Sequence, residues 1–285
     1  MEKKPFDSAQ GKPKVAFFSL TSDEGCQFVL LDLGEKFFNF LKKAELIDFP
    51  LIEEVPFPKG VKIDVSFVEG NPITKDDINL LKKIREESKI LVALGNCAAL
   101  GGIPEMKNYQ GKEKTIRFIY KRLNHISSFC GAKTKMKMKA NPEGDKLHRI
   151  LNPEIKEIDN FVKVDFVIPG CPINGEEFLK YAEELIKDKI PEICQSPVCT
   201  ECPLRGTLEC FLAKKEICLG LITLAGCKAI CPKNNFPCLG CRGILKGANV
   251  KSFLKVLEKL AKKEEIEDDL EIFGLKDDVE KILKK

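Results

Sequence analysis

Apolar positions along the chain fall into two rhythms. Short apolar segments recur at 14–20 (KVAFFSL), 61–70 (VKIDVSFVEG), 89–95 (KILVALG) and 164–170 (VDFVIPG), the second with polar residues between its apolar ones. Such runs predict buried strands. Between them the apolar period lengthens to that of a helix. Residues 26–43 (CQFVLLDLGEKFFNFLKK) and 76–88 carry this spacing, with Thr74 placed to cap the second. A third helix over 175–187 puts Phe178, Tyr181, Ala182, Leu185 and Ile186 on one face. Strands alternating with helices predict an α/β fold: a flavodoxin-like, mostly parallel sheet with helices on both faces.

The rhythm fails in two places. Residues 102–163 are longer, more basic and less regular, and read as an insertion or loop-rich helical excursion. From residue 191 the chain becomes short segments broken by Cys, Pro and Gly, until an amphipathic helix over 250–263 precedes a charged tail. This divides the chain into a polar, disordered leader (1–13), a flavodoxin-like domain (14–190) and an irregular cysteine-rich module with a C-terminal helix (191–285).

Charge adds little to this picture. The 47 basic residues barely exceed the 43 acidic ones, giving +4, and the signs are interspersed, which argues for solubility over nucleic-acid binding. The Lys-rich stretch 133–139 (KTKMKMK) has no flanking aromatic platform and reads as a solvated loop or strand edge. No apolar stretch is long enough to span a bilayer. The leader has neither a twin-arginine pair nor an apolar signal core, so a cytoplasmic protein is expected.

Cysteine changes the picture. There are 13, an odd number, and nine of them fall between Cys194 and Cys241. Without an export signal, such clustering favours metal over disulfides. The two histidines, His125 and His148, lie far from the cluster in sequence, which disfavours a His-containing zinc site there.

Two constellations emerge. In the first, Cys26, Cys97 and Cys171 each follow the end of a predicted strand, each with glycine within the two preceding residues. Open parallel sheets gather ligands beyond the carboxyl ends of their strands, so these thiols can converge on one object. A cubane iron–sulfur cluster needs a fourth ligand, for which Asp23 is the candidate. The bland alternative makes Asp23 a helix cap and the cysteines packing thiols. The second constellation runs Cys199-x2-Cys202-x7-Cys210-x7-Cys218-x8-Cys227-x3-Cys231-x6-Cys238-x2-Cys241. Eight cysteines make two sets of four, with Cys-x2-Cys at both ends and a Cys231-Pro232 step of the kind that closes ferredoxin cluster loops. Two four-cysteine zinc sites fit the same spacing.

The motifs SLTSDEGCQ, FVEGNPIT, ALGNCAALGGIP and PGCPI, in that order, resemble the small subunits of nickel–iron hydrogenases and the related complex I subunit that carries its last cluster. The run PVCTEC…CLGLITLAGCKAICP…PCLGCRG resembles more specifically the multi-subunit cytoplasmic hydrogenases of the sulfhydrogenase, viologen-reducing and deazaflavin-reducing types. The likeness covers most of 14–245 and is poor over 102–163 and both tails.

The resemblance implies three 4Fe–4S clusters: a proximal one on Asp23, Cys26, Cys97 and Cys171, a medial one on Cys227, Cys231, Cys238 and Cys241, and a distal one on Cys199, Cys202, Cys210 and Cys218. It departs from the family pattern at three positions. Asp23 stands where Cys is usual, although some deazaflavin-reducing members use aspartate. Cys199 stands where His is frequent. Cys231 stands where members with Pro hold a three-iron cluster, so a complete 4Fe–4S centre is expected. Cys130 and Cys194 are left over as ordinary thiols. The resemblance also implies a nickel–iron site in a partner large subunit and an electron-acceptor subunit bearing flavin or iron–sulfur. Glu24 and Glu69 flank the proximal loops as candidates for proton movement or as loop-capping carboxylates. Two rivals remain: an electron-transfer subunit of a related complex without hydrogenase activity, and a zinc-stabilised binding module.

Overall fold

In the computed structural model the described residues are 11–53, 60–109 and 154–284. Five strands form the first half: β1 (Lys14–Ser19), β2 (Glu45–Asp48), β3 (Ile63–Glu69), β4 (Ser88–Leu94) and β5 (Phe166–Ile168). They lie in the order β2-β1-β3-β4-β5 with every pairing parallel, which is the flavodoxin-like order. The helices are α1 (Gly25–Asp32), α2 (Glu35–Leu41), α3 (Lys75–Glu87), α4 (Gly95–Leu100), α5 (Gly102–Tyr109) and α6 (Gly175–Leu185). The module adds α7 (Ile230–Lys233), α8 (Val250–Leu257), α9 (Lys263–Ile272) and α10 (Leu275–Lys284).

Strand residues alternate between two cores. Phe17, Phe67, Val92 and Ile168 face α1, α2 and α6, while Ala16, Val68, Leu91 and Ala93 face α3 and α4. The first core is aromatic at its centre. Phe178 of α6 lies 5.0 Å from Phe67 between ring centroids and 6.1 Å from Phe17, and Phe17 stacks on Phe67 at 4.9 Å. All five residues expected on the inner face of the 175–187 helix are buried. Thr74 caps α3 through a reciprocal capping box with Asp77.

Several boundaries differ from the sequence expectation, each for a physical reason. The helix expected over 26–43 breaks at Gly34 into α1 and α2. The strand expected over 164–170 contracts to Phe166–Ile168, because Pro169 cannot donate to a ladder. β2 had no strand signal, being short, at the sheet edge and only partly buried. The helix expected over 250–263 ends at Leu257, and the expected charged tail is the helical pair α9–α10. Their sparse apolar residues Ile266, Leu270, Leu275 and Val279 pack against Phe253, Leu257, Leu219 and Ile222 of the module.

Of region 102–163, the described parts are α5 and a short stretch holding a 3-10 turn at Ile158–Asn160. The first ten residues of the leader, both histidines, Cys130 and the Lys-rich stretch 133–139 lie outside the described residues. No helix among the described residues is long and apolar enough to cross a membrane.

Candidate metal centres

The carboxyl ends of the strands bring the first constellation together. Asp23 lies on the loop after β1, Cys26 in the first turn of α1, Cys97 in α4 directly after β4, and Cys171 just beyond β5. Together with Glu69 at the end of β3 they line one cavity of about 80 Å³. Gly95 makes this approach possible: its φ is +83°, and a Cβ there would stand 2.4 Å from Cys26 Sγ. The wall is braced by backbone and amide contacts. Asn96 N donates to Gly170 O at 2.7 Å, and Asn71 Nδ2 donates to Cys97 O at 2.9 Å.

Glu69 is buried, and its two oxygens accept the backbone N–H groups of Cys26 at 2.9 Å and Gln27 at 3.2 Å. It thus satisfies the start of α1, whose N-cap Glu24 sits at φ 58° without a side-chain cap. The loop-capping reading of Glu69 is the one with contacts behind it. Asp23 is exposed at the mouth, and its Oδ1 accepts from Gly25 N at 3.0 Å. Its Oδ2 takes no hydrogen bond among the described residues.

The module carries the eight cysteines of the second constellation. Cys227, Cys231, Cys238 and Cys241 line a cavity of about 650 Å³. Cys199 has Cys218, Cys202 and Cys210 as neighbours, and its Sγ would lie 3.5 Å from a Cβ on Gly220, against which Cys218 Sγ also packs. The sets are contiguous. Cys171 of the first lines the second cavity as well, and its backbone N–H faces the Cys241 sulfur. Cys238 N donates to Cys218 Sγ at 3.3 Å, joining the second set to the third.

Burial dominates the electrostatics. It pushes the Cys97 thiol up to about 12, helped by the neighbouring Cys171 and Asp23, and the Cys241 thiol up to about 12. Cys199 rises to about 11 from burial and its three cysteine neighbours, and Cys26 and Cys238 are raised further, again chiefly by burial. Thiols crowded this way need a cation to exist as thiolates near neutral pH, as metal ligands must.

All twelve cysteines among the described residues are free thiols. Cys194 is exposed and joins none of the sets.

Two residues that organise the sites were not legible as site residues. Asn96 Nδ2 donates to Cys241 O at 2.9 Å and Phe273 O at 3.1 Å, tying the first loop to the module and its tail. Arg242 is buried beside Cys241. The only signal for it was a charged residue inside an otherwise apolar Cys-Gly run.

With this geometry in place, comparison with known proteins is decisive. The model of the NADH ubiquinone oxidoreductase, 20 Kd subunit family matches residues 24–185, more than half of the chain. The chain belongs to that family. This 20 Kd subunit family member is 34% identical over 262 residues to sulfhydrogenase 2 subunit delta of Pyrococcus furiosus, covering 92% of this chain and 99% of that one. It is 33% identical over 248 residues to a subunit of the F420-non-reducing hydrogenase vhu of Methanocaldococcus jannaschii, covering 81% of each. A chain from an NAD+-reducing NiFe hydrogenase in the H2-reduced state superposes with TM-score 0.50 at 21% identity, covering 65% of this chain and 96% of that one, a likeness of fold.

Thiol-rich sets that line cavities fit iron–sulfur clusters, in which each iron takes one protein ligand. Among the described residues no three His, Cys, Asp or Glu side chains stand close enough to share one metal ion. A tetrahedral zinc draws its sulfurs to about 3.8 Å from one another. A cubane holds each thiolate on a different iron, farther apart, and the first two sets each line a cavity.

Proposed function

We propose that this chain is the electron-relay small subunit of a multi-subunit nickel–iron hydrogenase, with a proximal, a medial and a distal 4Fe–4S cluster. The observation that supports the reading is that the proposed ligands adjoin one another, Cys171 lining the cavity of Cys227, Cys231, Cys238 and Cys241, and Cys238 N donating to Cys218 Sγ. The relatives named as hydrogenase subunits support it. Such clusters supply reversible one-electron transfer when bound.

In this reading Asp23, Cys26, Cys97 and Cys171 hold the proximal cluster, Cys227, Cys231, Cys238 and Cys241 the medial one, and Cys199, Cys202, Cys210 and Cys218 the distal one. Residues 14–190 form one domain and 191–285 the two-cluster module. Buried Val198, Leu219 and Ile222 exclude water from the module's interior, and backbone N–H groups stabilise charge on Cys218, Cys238 and Cys241. The nickel–iron site lies in a partner large subunit beside the Asp23 mouth. A flavin or iron–sulfur subunit takes the electrons onward, in the cytoplasm.

Asp23 completes the proximal set as a harder ligand than thiolate. Asp23→Ala is expected to convert or destabilise that cluster, seen as a changed EPR spectrum with the other two signals kept; an unchanged spectrum removes Asp23 from the ligand set. The function itself is tested on the anaerobically purified complex with its co-purifying chains. Dihydrogen should bleach the cluster absorbance of this chain within the turnover time of the complex. Intact clusters that dithionite reduces and dihydrogen does not would place the chain in a related complex without hydrogenase activity.

A further inference from the structure

Arg242 follows the medial ligand Cys241, and its side chain is 1% exposed. A guanidinium buried this far is costly unless each donor is met. Here Nε donates to Leu224 O at 3.2 Å and Ala225 O at 2.9 Å, Nη1 donates to Pro169 O at 2.8 Å, and Nη2 donates to Glu177 Oε1 at 2.9 Å. Nη1 also stands 2.9 Å from Glu177 Oε2, close enough for ion pairing though not aligned as a hydrogen bond.

These contacts are not scattered. Pro169 is two residues before Cys171, Ala225 two before Cys227, and Arg242 itself one after Cys241. One side chain therefore joins a proximal ligand loop to both ends of the medial ligand set. Gly226 marks how tightly the knot is drawn: its φ is +120°, and a Cβ there would stand 2.3 Å from Glu177 Oε1 and 2.4 Å from Arg242 Nη2. Tyr181 OH donates to Glu177 Oε1 at 3.2 Å, fixing the carboxylate from a further direction, and Asn174 Nδ2 donates to Gly226 O at 2.9 Å, holding the backbone beside it.

The pair is also oriented. Arg242 lines the cavity of the medial cysteines, whereas Glu177 lines a different cleft, with Lys180, Tyr181 and Glu201. The positive partner of the pair thus stands nearer the medial cavity than the negative one. In a low-dielectric interior a charge so placed favours the reduced, more negative state of whatever redox group the cavity holds.

We propose that the Arg242–Glu177 pair is a potential-setting and positioning device for the medial cluster, raising its reduction potential and fixing its separation from the proximal ligand loop. This rests on the three-cluster reading above. Arg242 acts through the ligand loops and the field and touches no reacting atom, so it is a positioning residue.

The test is a redox titration, followed by EPR at pH 8, of the anaerobically purified complex carrying single isosteric changes. The medial signal is identified beforehand as the one lost in Cys227→Ala. Arg242→Gln removes the facing charge and is expected to lower the medial potential. Glu177→Gln leaves that charge uncompensated and is expected to raise it. Each shift is on the order of tenfold in the redox equilibrium, about 59 mV for one electron. Arg242→Lys keeps the charge but loses the fork, and is expected to hold the potential near that of the parent while lowering the melting temperature. A brace without electrostatic purpose would not give opposite signs. Shifts in the same direction, or none in either Gln variant, overturn the proposal. A parent complex in which Cys227→Ala removes no signal overturns the medial-cluster assignment itself, a result recognisable before any variant at 242 or 177 is made.

Discussion

Gly95→Ala is expected to leave the protein with about eight iron atoms in place of about twelve, the proximal set alone being lost. The expectation follows from space and backbone together. The new methyl group would meet Cys26 Sγ at 2.4 Å while the residue held φ at +83°. Neither conflict can be relieved locally. Asn96 N is bonded to Gly170 O, so moving residue 95 drags the Cys171 loop, and Cys26 is clamped through its own N–H by Glu69. The proposed medial and distal ligands lie among separate apolar clusters and should keep their iron. Iron and acid-labile sulfide analysis with EPR of the anaerobically purified variant checks this; twelve iron atoms with an unchanged proximal signal would show that the loop accommodates a side chain.

The second large effect is on stability. Phe178→Ala is expected to cost about 3–5 kcal/mol, because the ring is fully buried and leaves a cavity that rigid aromatic neighbours cannot close. Phe17, Phe37, Phe40 and Phe67 all lie within 6.4 Å of it between centroids. Phe178 adjoins Glu177 on α6, the helix after the Cys171 loop, so the loss should also be felt at the Arg242 knot. Chemical denaturation of the parent and the variant, each cluster-loaded, measures the difference; a cost below about 1 kcal/mol would mean that α6 is not anchored by this ring.

Much of the sheet was legible in the sequence, and so were the cysteines that line the candidate cavities, for reasons that particular residues make plain. The four apolar segments became β1, β3, β4 and β5, the cleanest being KVAFFSL and KILVALG, because a parallel strand covered on both faces needs no polar side. Thr74 announced a helix start through its hydroxyl and Asp77 three residues on. β2 was hidden because ELID at a sheet edge is only partly buried and carries no pattern longer than four residues. The helices of the tail were hidden because charged residues outnumber the apolar ones in α9 and α10, and the faces of those helices exist only once Phe253 and Leu257 are there to meet them.

The cysteine constellations were visible as spacing and as positions after strands, both of which can be read locally. Arg242 was not, because its significance lies in carbonyls at 169, 224 and 225 and a carboxylate at 177, none of which its own neighbourhood foretells. Glu69 stood near the right place in sequence. That its oxygens would cap α1 depended on β1 and β3 being neighbours, a fact of topology.

The central claim, three four-iron clusters on this chain, is tested most directly by quantifying iron, acid-labile sulfide and zinc per chain in the anaerobically purified complex, after subtracting the metal held by its separated partners. The account predicts about twelve iron and about twelve sulfide per chain with no stoichiometric zinc. Zinc without sulfide would contradict it and make the cysteine sets structural metal sites.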